Sequence, residues 1–240
     1  MARLHEYQAK AVLQSTGLAV PNGTVAHSLE QARAAATALN GKCVVKIQAW
    51  TTGRAAIGGI ALCETVEQAV DAAERMLDMR VGRFPVESVL VEERLEIAHE
   101  LFVSFTIDDS LRQPVLLLSA TGGSGIENRS GGVTRIPCDL VNGPATENIR
   151  QVLESAQLSN SIIPTLIEAI STAYRAMRTI EARSLEINPL AITADNRIVA
   201  ADCRMTIDDY AAYRHPELGI EIAREFDHPP TTLERIAYEI

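Results

Sequence analysis

Aromatic residues make up only 4% of this 240-residue chain, and Trp50 is its single tryptophan. That scarcity removes the stacking platforms on which single-stranded nucleic acids are held. No segment gathers lysine and arginine with aromatics, and the net charge is −9, so nucleic acid is excluded as the main partner. No apolar run approaches the ~20 residues of a membrane span, which argues against a membrane. The N-terminus has no charged-then-apolar signal pattern, and the cytoplasm is the expected location. Cys43, Cys63, Cys138 and Cys203 are scattered without a CxxC and read as buried small hydrophobes rather than disulfides or zinc ligands. His5, His27, His99, His215 and His228 show neither HxxxH nor His–Cys spacing, so no zinc site is expected.

What is present is an ordinary globular composition, 47% hydrophobic, long enough for one large domain or two small lobes. Leu4, Tyr7, Ala11 and Val12 lie on one face of a helix spanning 4–16, and Gly17 stands where a helix-ending glycine belongs. Ser28-Leu29-Glu30-Gln31 and Thr65-Val66-Glu67-Gln68 are capping-box patterns, each opening a helix. Strands are expected at 24–26, 42–48, 60–63 and 88–93. This β-α-β-β-α-β order describes a compact α/β lobe over about 20–95. Beyond His99, strands at 100–108 and 114–120, a long helix at 162–181 and a hairpin at 184–202 give a mainly antiparallel second lobe. The segments after Asp202 read as surface wrapping and a linker.

The hairpin carries the most chemical information. Ala194-Asp195-Asn196 is turn chemistry between two extended stretches. Asn188 lies six residues before that turn and Asp202 six after it, so antiparallel pairing sets them side by side. A carboxamide and a carboxylate there offer hard oxygen ligands to Mg²⁺, which keeps waters and phosphate oxygens as its others. The plainer alternative is that Asn188 caps a bend before Pro189 and Asp202 ends an edge strand.

Lys46 sits in the apolar strand Cys43-Val44-Val45-Lys46-Ile47, where an unpaired charge is costly. It is either a phosphate-binding lysine or a lysine on the open face of an edge strand. Thr52-Gly53-Arg54-Ala55-Ala56-Ile57-Gly58-Gly59 follows directly. Its glycines allow backbone N–H groups near Gly53 and Ala55 to approach phosphate oxygens, and Arg54 adds a fork of donors. Neither a Walker A loop nor a Rossmann fingerprint is present, and a simple turn is the alternative. Glu92, Glu93 and Glu96 form either a solvated acidic connector or, at Glu92, part of an interlobe hinge.

Taken together, these segments carry a family resemblance. Leu4-His5-Glu6-Tyr7-Gln8-Ala9-Lys10 resembles the opening of the β subunit of succinyl-CoA synthetase and its ADP-forming acyl-CoA ligase relatives. Glu186-Ile187-Asn188-Pro189-Leu190, with its spacing to Asp202, is similar to that family's magnesium motif. Val44-Val45-Lys46, Gly53-Arg54, Gly58-Gly59 and Val91-Glu92 come in the family's order at similar spacings. The resemblance covers essentially the whole chain.

It implies an α+β, two-lobed ATP-grasp fold that clasps a nucleotide between an α/β lobe and an antiparallel-sheet lobe. The ATP-grasp domain would span 1–233, with 20–95 as first lobe and 1–19 with 96–233 as second. It further implies that Lys46 contacts phosphates, and that Glu92 and the backbone at Leu95 hold the adenine edge. Glu100 would reach the ribose or phosphate region, and Asn188 and Asp202 would hold Mg²⁺ beside ATP or GTP. The implied reaction is carbon–sulfur ligation, an ADP-forming acid–CoA ligase proceeding through acyl phosphate and a phosphohistidine. The family's histidine and CoA site lie on a partner α subunit, so no catalytic residue is expected on this chain. A carboxylic acid is the remaining substrate.

Two departures accompany the resemblance. The family's usual loop is Gly-Gly-Arg-Gly-Lys-Ala-Gly-Gly, whereas Thr52, Ala55 and Ala56 here make it stiffer and remove one positive charge. Thr121-Gly122-Gly123-Ser124-Gly125-Ile126-Glu127 is similar to a family loop beside the transfer site, with Glu127 retained and two glutamates replaced. Residues 234–240 look like the entry to a flavodoxin-like domain. The alternatives are a free-standing ATP-grasp carboxylate ligase and a catalytically degenerate nucleotide-binding subunit.

Overall fold

The computed structural model describes residues 2–123, 132–156, 158–220 and 231–238. The chain opens with a short strand, β1 (Ala2–Arg3), and helix α1 (Glu6–Ser15). The first lobe follows as β2 (Gly23–Ala26), α2 (Leu29–Ala38), β3 (Cys43–Ile47), β4 (Ile60–Cys63) and α3 (Val66–Leu77). A small hairpin, β5 (Arg80–Val81) with β6 (Phe84–Pro85), leads to β7 (Val89–Glu93). Both helices begin as their sequences predict. The side chains of Ser28 and Thr65 accept from the N–H groups of Gln31 and Gln68, whose amides return the contact to His27 and Glu64.

The four strands β2, β7, β3 and β4 pair antiparallel in that order. Alternation along them separates two jobs. Cys43, Val45, Ile47, Val89 and Val91 join the apolar core with Ala35, Ala36, Ala72 and Ala73 of the helices. Val44, Lys46, Leu90 and Glu92 point to the opposite face. All four cysteines are buried and free.

The second lobe is built from β8 (Ile97–Asp108), β9 (Gln113–Ser119), β10 (Thr134–Asp139) and β11 (Gly143–Pro144), then α4 (Thr146–Ser155) and α5 (Ile163–Thr179). It continues with β12 (Ala182–Thr193), β13 (Ile198–Ala200), β14 (Arg204–Ile207) and a last helix, α6 (Thr232–Tyr238). The sheet runs β1-β14-β12-β8-β9-β10-β11, with β13 also pairing β12. Leu101, Val103, Phe105, Leu185, Ile187, Met205 and Ile207 pack against α1, α4 and α5. Ser104, Thr106, Ser184, Glu186, Arg204 and Thr206 take the alternate positions, on the other face.

Three sequence expectations need correction. The segment after Asp202 is not merely surface wrapping. Arg204–Ile207 is a strand held between β12 and β1. Its alternating burial, with Met205 and Ile207 inside, is a period-2 signal that a four-residue strand makes easy to overlook. Helix α4 was not expected, because it buries only Ile149 and Leu153 and reads as a polar run. Helix α1 forms where expected, but its buried residues are Glu6, Ala9, Lys10, Val12 and Leu13, while Ala11 is exposed. A pattern that assigns every charge to solvent misses a helix whose charges are buried in pairs.

Helix α1 also ties the lobes together. The Tyr7 N–H donates to Gln48 Oε1 at 3.2 Å, and the His5 ring stacks on Trp50 with centroids 4.8 Å apart. Phe84 closes on the far edge of Trp50 at 6.0 Å. Burial disfavours the charged imidazole and lowers the His5 pKa to about 4 from 6.5, and its Nδ1 is buried without a hydrogen-bond partner. Between those two values the unfolded chain binds the extra proton and the folded chain does not. Stability from this group is therefore present above about 6.5 and falls as pH drops toward 4. The His5 ring should titrate by NMR with a midpoint near 4, and His5→Gln should flatten part of the melting-temperature decline over that window. A midpoint at the ordinary histidine value would show that the stack does not keep the ring dry.

Candidate functional site

The inner faces of the two sheets meet at a cluster of six ionised side chains. Helix α1 contributes Glu6 and Lys10, one turn apart. Strand β3 contributes Lys46, β7 contributes Glu92, and the turn after β3 contributes Arg54. Asp202 comes from the second lobe. Three carboxylates face three cations, and all but Asp202 are more than nine-tenths buried.

Glu6 is the hub. Its Oε1 accepts from Lys10 at 2.7 Å and Lys46 at 3.0 Å, and its Oε2 accepts from Arg54 at 2.5 Å. Glu92 bridges the two lysines, taking Lys10 on Oε2 at 2.6 Å and Lys46 on Oε1 at 2.5 Å. The Ala201 carbonyl accepts from both lysines, at 2.9 Å each. Arg54 completes the chain of charge across the lobes, donating to Asp202 Oδ2 at 2.7 Å and to the Ile47 carbonyl at 3.2 Å. Burial works against the Glu6 charge, but Lys46, Lys10 and Arg54 outweigh it and hold the carboxyl well below its usual range. Burial likewise works against the charge of Lys46 and Arg54, and the carboxylates around them hold both above their usual values.

Arg54 points inward because of its turn. Residues Arg54–Ile57 form a single 3-10 turn between Gly53 and Gly58, whose φ angles of 65° and 78° suit glycine. The turn buries Arg54 and leaves Ala55 and Ala56 exposed. The N–H groups at its start have no acceptor within the turn itself.

Asn188 and Asp202 meet through an interruption in the sheet. On one side Leu190 pairs Ala200, and on the other Glu186 pairs Arg204. That common register sets Asn188 opposite Asp202, as the spacing about the turn predicts. Pro189, joined to Asn188 by a cis peptide bond, has no N–H to give the ladder. Asn188 Oδ1 accepts from the Gly123 N–H at 2.8 Å. Gly123, at φ 91°, lies so close to Glu100 that an added Cβ would sit 2.6 Å from Glu100 Oε2. Asp202 Oδ1 is buried without a hydrogen-bond partner.

The expected site residues therefore fall into two groups and a link. Lys46, Arg54, Glu92 and Asp202 share one ionic cluster. Glu100 and Asn188 converge on Gly123, where the glycine-rich loop begins, and Asn188 faces Asp202 in register. Leu95 is half-buried on the connector between β7 and β8. Gly53 and Ala55 flank Arg54 without joining its contacts. Glu127 and Gly125 lie outside the described residues. Glu6 and Lys10 were missed as site residues, although they stand in the recognised opening motif at helical i,i+4 spacing.

A cavity of about 360 Å³ opens on the Arg54 side of the cluster. Glu6, Trp50 and Arg54 line one wall, and Ser104, Glu186 and Arg204 the other. Lys46, Glu92 and Leu95 are not on its surface, so its open volume does not reach the hinge. Among the described residues no group of three metal-ligating His, Cys, Asp or Glu side chains occurs, and no helix is long and apolar enough to cross a membrane.

The chain is similar to known proteins over most of its length. The ATP-grasp domain family matches residues 3–192. The chain is 39% identical over 228 residues to the succinate–CoA ligase [ADP-forming] subunit beta of Methylobacillus flagellatus, covering 90% of this chain and 59% of the relative. To the GDP-forming counterpart from Thermus thermophilus it is 35% identical, covering 94% of this chain and 61% of that one. The chain thus spans about three-fifths of the length of these curated relatives. Among solved structures, ATP citrate lyase from Methanothrix soehngenii, in complex with citrate and coenzyme A, superposes with a TM-score of 0.77 at 20% identity, over 99% of this chain and 59% of that one. A dinucleotide-forming acetyl-coenzyme A synthetase from Ca. Korarchaeum cryptofilum gives 0.70 at 18% identity, over 85% and 93%. Two α+β lobes meeting at an ionic cleft, and a family match across most of the chain, establish that this protein belongs to the ATP-grasp domain family.

Proposed function

We propose that the chain binds Mg²⁺-ATP or Mg²⁺-GTP between its lobes, as the nucleotide-binding part of an acid–CoA ligase that releases ADP or GDP. The observation that carries this reading is the Arg54–Asp202 contact. It brings the basic turn of the first lobe to the interrupted ladder of the second at 2.7 Å. Phosphoryl transfer asks chiefly for positioning and charge neutralisation, and these residue types supply both. In this reading Lys46 and Arg54 hold phosphate oxygens, with backbone N–H groups near Gly53 and Ala55 beside them. Glu92 and the main chain at Leu95 hold the base, and Glu100 reaches the ribose or phosphate region.

The metal fits the residues present. The partnerless buried Oδ1 of Asp202 and the amide oxygen of Asn188 opposite are hard donors suited to Mg²⁺. Bound there, Mg²⁺ would neutralise charge on the phosphates. Asp202 would then exchange its guanidinium for the ion, and Arg54 would turn its fork to the phosphates.

The relatives' names, each the subunit beta of a succinate–CoA ligase, support a partner subunit and CoA chemistry. The CoA site and a phosphohistidine belong, in this reading, to a partner α subunit, and a carboxylic acid is the substrate. In this reading a flavodoxin-like domain, whose entry residues 234–240 resemble, belongs to the same ligase assembly. The cavity beside Arg54, between Ser104, Glu186 and Arg204, suits entry of a phosphoryl-bearing side chain. A second reading, nucleotide binding without turnover, draws support from Ala55 and Ala56, which leave Arg54 as the cation of the turn.

Calorimetry with Mg²⁺-ADP should show binding to the parent chain. Asp202→Ala should weaken it on the order of tenfold or more while leaving metal-free ADP binding unchanged or stronger. Asn188→Ala should act in the same direction but less. Equal Mg²⁺-ADP affinity in parent and both variants would return the hairpin to its plainer reading.

The division of labour has its own test. The chain alone, given ATP, CoA and a panel of dicarboxylic and sulfonated acids, should make no acyl-CoA. Adding an α-type subunit and the remaining domain should transfer label from γ-phosphate-labelled ATP to a partner histidine. Acyl-CoA made by the chain alone would overturn this. An assembly that binds nucleotide yet never labels the histidine would favour the reading without turnover.

A further inference from the structure

An ammonium group has three N–H donors. All three of Lys46 go to acceptors of this chain, namely Glu6, Glu92 and the Ala201 carbonyl. Arg54 is divided between Glu6, Asp202 and the Ile47 carbonyl. For Lys46 to hold a phosphate one of its internal bonds must be given up, whereas the Arg54 guanidinium, with five N–H donors, keeps two beyond its three bonds.

Three observations identify which one. Glu6 serves three cations with two oxygens, so each claim on it is shared. Its bond to Lys46, 3.0 Å, is longer than the 2.5 Å contact from Lys46 to Glu92. Glu6 also lines the cavity, whereas Glu92 does not, so of the two carboxylates on Lys46 it is Glu6 that has open space to move into.

We infer that Glu6 is a built-in anion with which nucleotide phosphates compete for Lys46, and that it thereby sets the affinity of the site. Lys10 gives the exchange somewhere to end. It holds Glu6 at 2.7 Å from the same helix, so a carboxylate that releases Lys46 keeps a counter-charge. A buried charge left without any partner would be far more costly. A single phosphate offers one anion against a carboxylate already in place. A diphosphate or triphosphate spans both cations at once, and the competition therefore selects for polyphosphate ligands.

This rests on the proposed nucleotide site, and the experiment keeps the two separable. Metal-free ADP is titrated by calorimetry into the parent, Glu6→Gln and the charge-balanced double variant Glu6→Gln/Lys10→Met, with Mg²⁺-ADP binding to the parent as reference. Both variants should bind metal-free ADP about tenfold more tightly than the parent, since a buried negative charge no longer opposes the phosphates. Glu6→Gln should also melt lower and recover more on adding ADP. Carboxyl-carbon NMR of the parent should show the Glu6 resonance shift as ADP binds. Weaker or equal ADP affinity in both variants, or an unmoved Glu6 resonance, overturns the inference while parent binding leaves the site intact. No Mg²⁺-ADP binding to the parent removes the nucleotide site itself, and the inference with it.

Discussion

Everything in the cleft depends on a balance of buried charge. Glu6, Glu92 and Asp202 face Lys10, Lys46 and Arg54, and these six groups come from five different segments of the chain. Such a network contributes little net stability, because the attraction must first offset the loss of water around each ion. Its effect is instead geometric. Only one mutual placement of α1, β3, β7, the Arg54 turn and the end of β13 satisfies all six at once. Removing a single member leaves one charge in excess among the other five, which is costly where they are buried. The cluster thus holds the lobes in register where their apolar cores, which are separate, do not meet.

Alternation along the strands explains why the ions face one another. In the first lobe the core takes Val45 and Ile47, which leaves Lys46 on the opposite face of β3. In the second lobe the core takes Leu185, Ile187, Cys203 and Met205. Glu186, Asn188, Asp202 and Arg204 are thereby turned the other way. Each sheet buries one face under its own helices and offers a polar face to the other lobe. A one-residue slip in either sheet would exchange the two sets, so burial of the apolar residues also fixes the site.

Much of this was legible in the sequence where the signal was local. The capping residues Ser28 and Thr65 mark their helices, and the distances of Asn188 and Asp202 from the turn give their pairing. Lys46 within an apolar strand already required a partner. What could not be read was the identity of that partner, because Glu6 lies 40 residues away on a different element. The face of α1 was misassigned for the same reason. Helical periodicity sorts residues by their own polarity, and the burial of Glu6 and Lys10 is decided by Glu92, Lys46 and the Ala201 carbonyl. Likewise β14 is too short for its alternation to stand out, and it is held by pairing on both sides rather than by strong propensity.

The interrupted ladder shows how a sheet can free two facing side chains without leaving its plane. A continuous pairing through 186–192 and 198–204 would spend every backbone group on the neighbouring strand. At Pro189 the ladder lacks a donor, and the Ala201 carbonyl turns to Lys10 and Lys46 instead. Pairing resumes at Glu186 and Arg204, so the break is confined to the residues that carry Asn188 and Asp202. Those two side chains are therefore fixed by regular strand on both sides while their own position stays free of it. Asp202 keeps one oxygen on Arg54 and the other without a partner. A carboxylate held in that half-satisfied condition, opposite an amide oxygen and beside a guanidinium, is chemically prepared to exchange one cation for another.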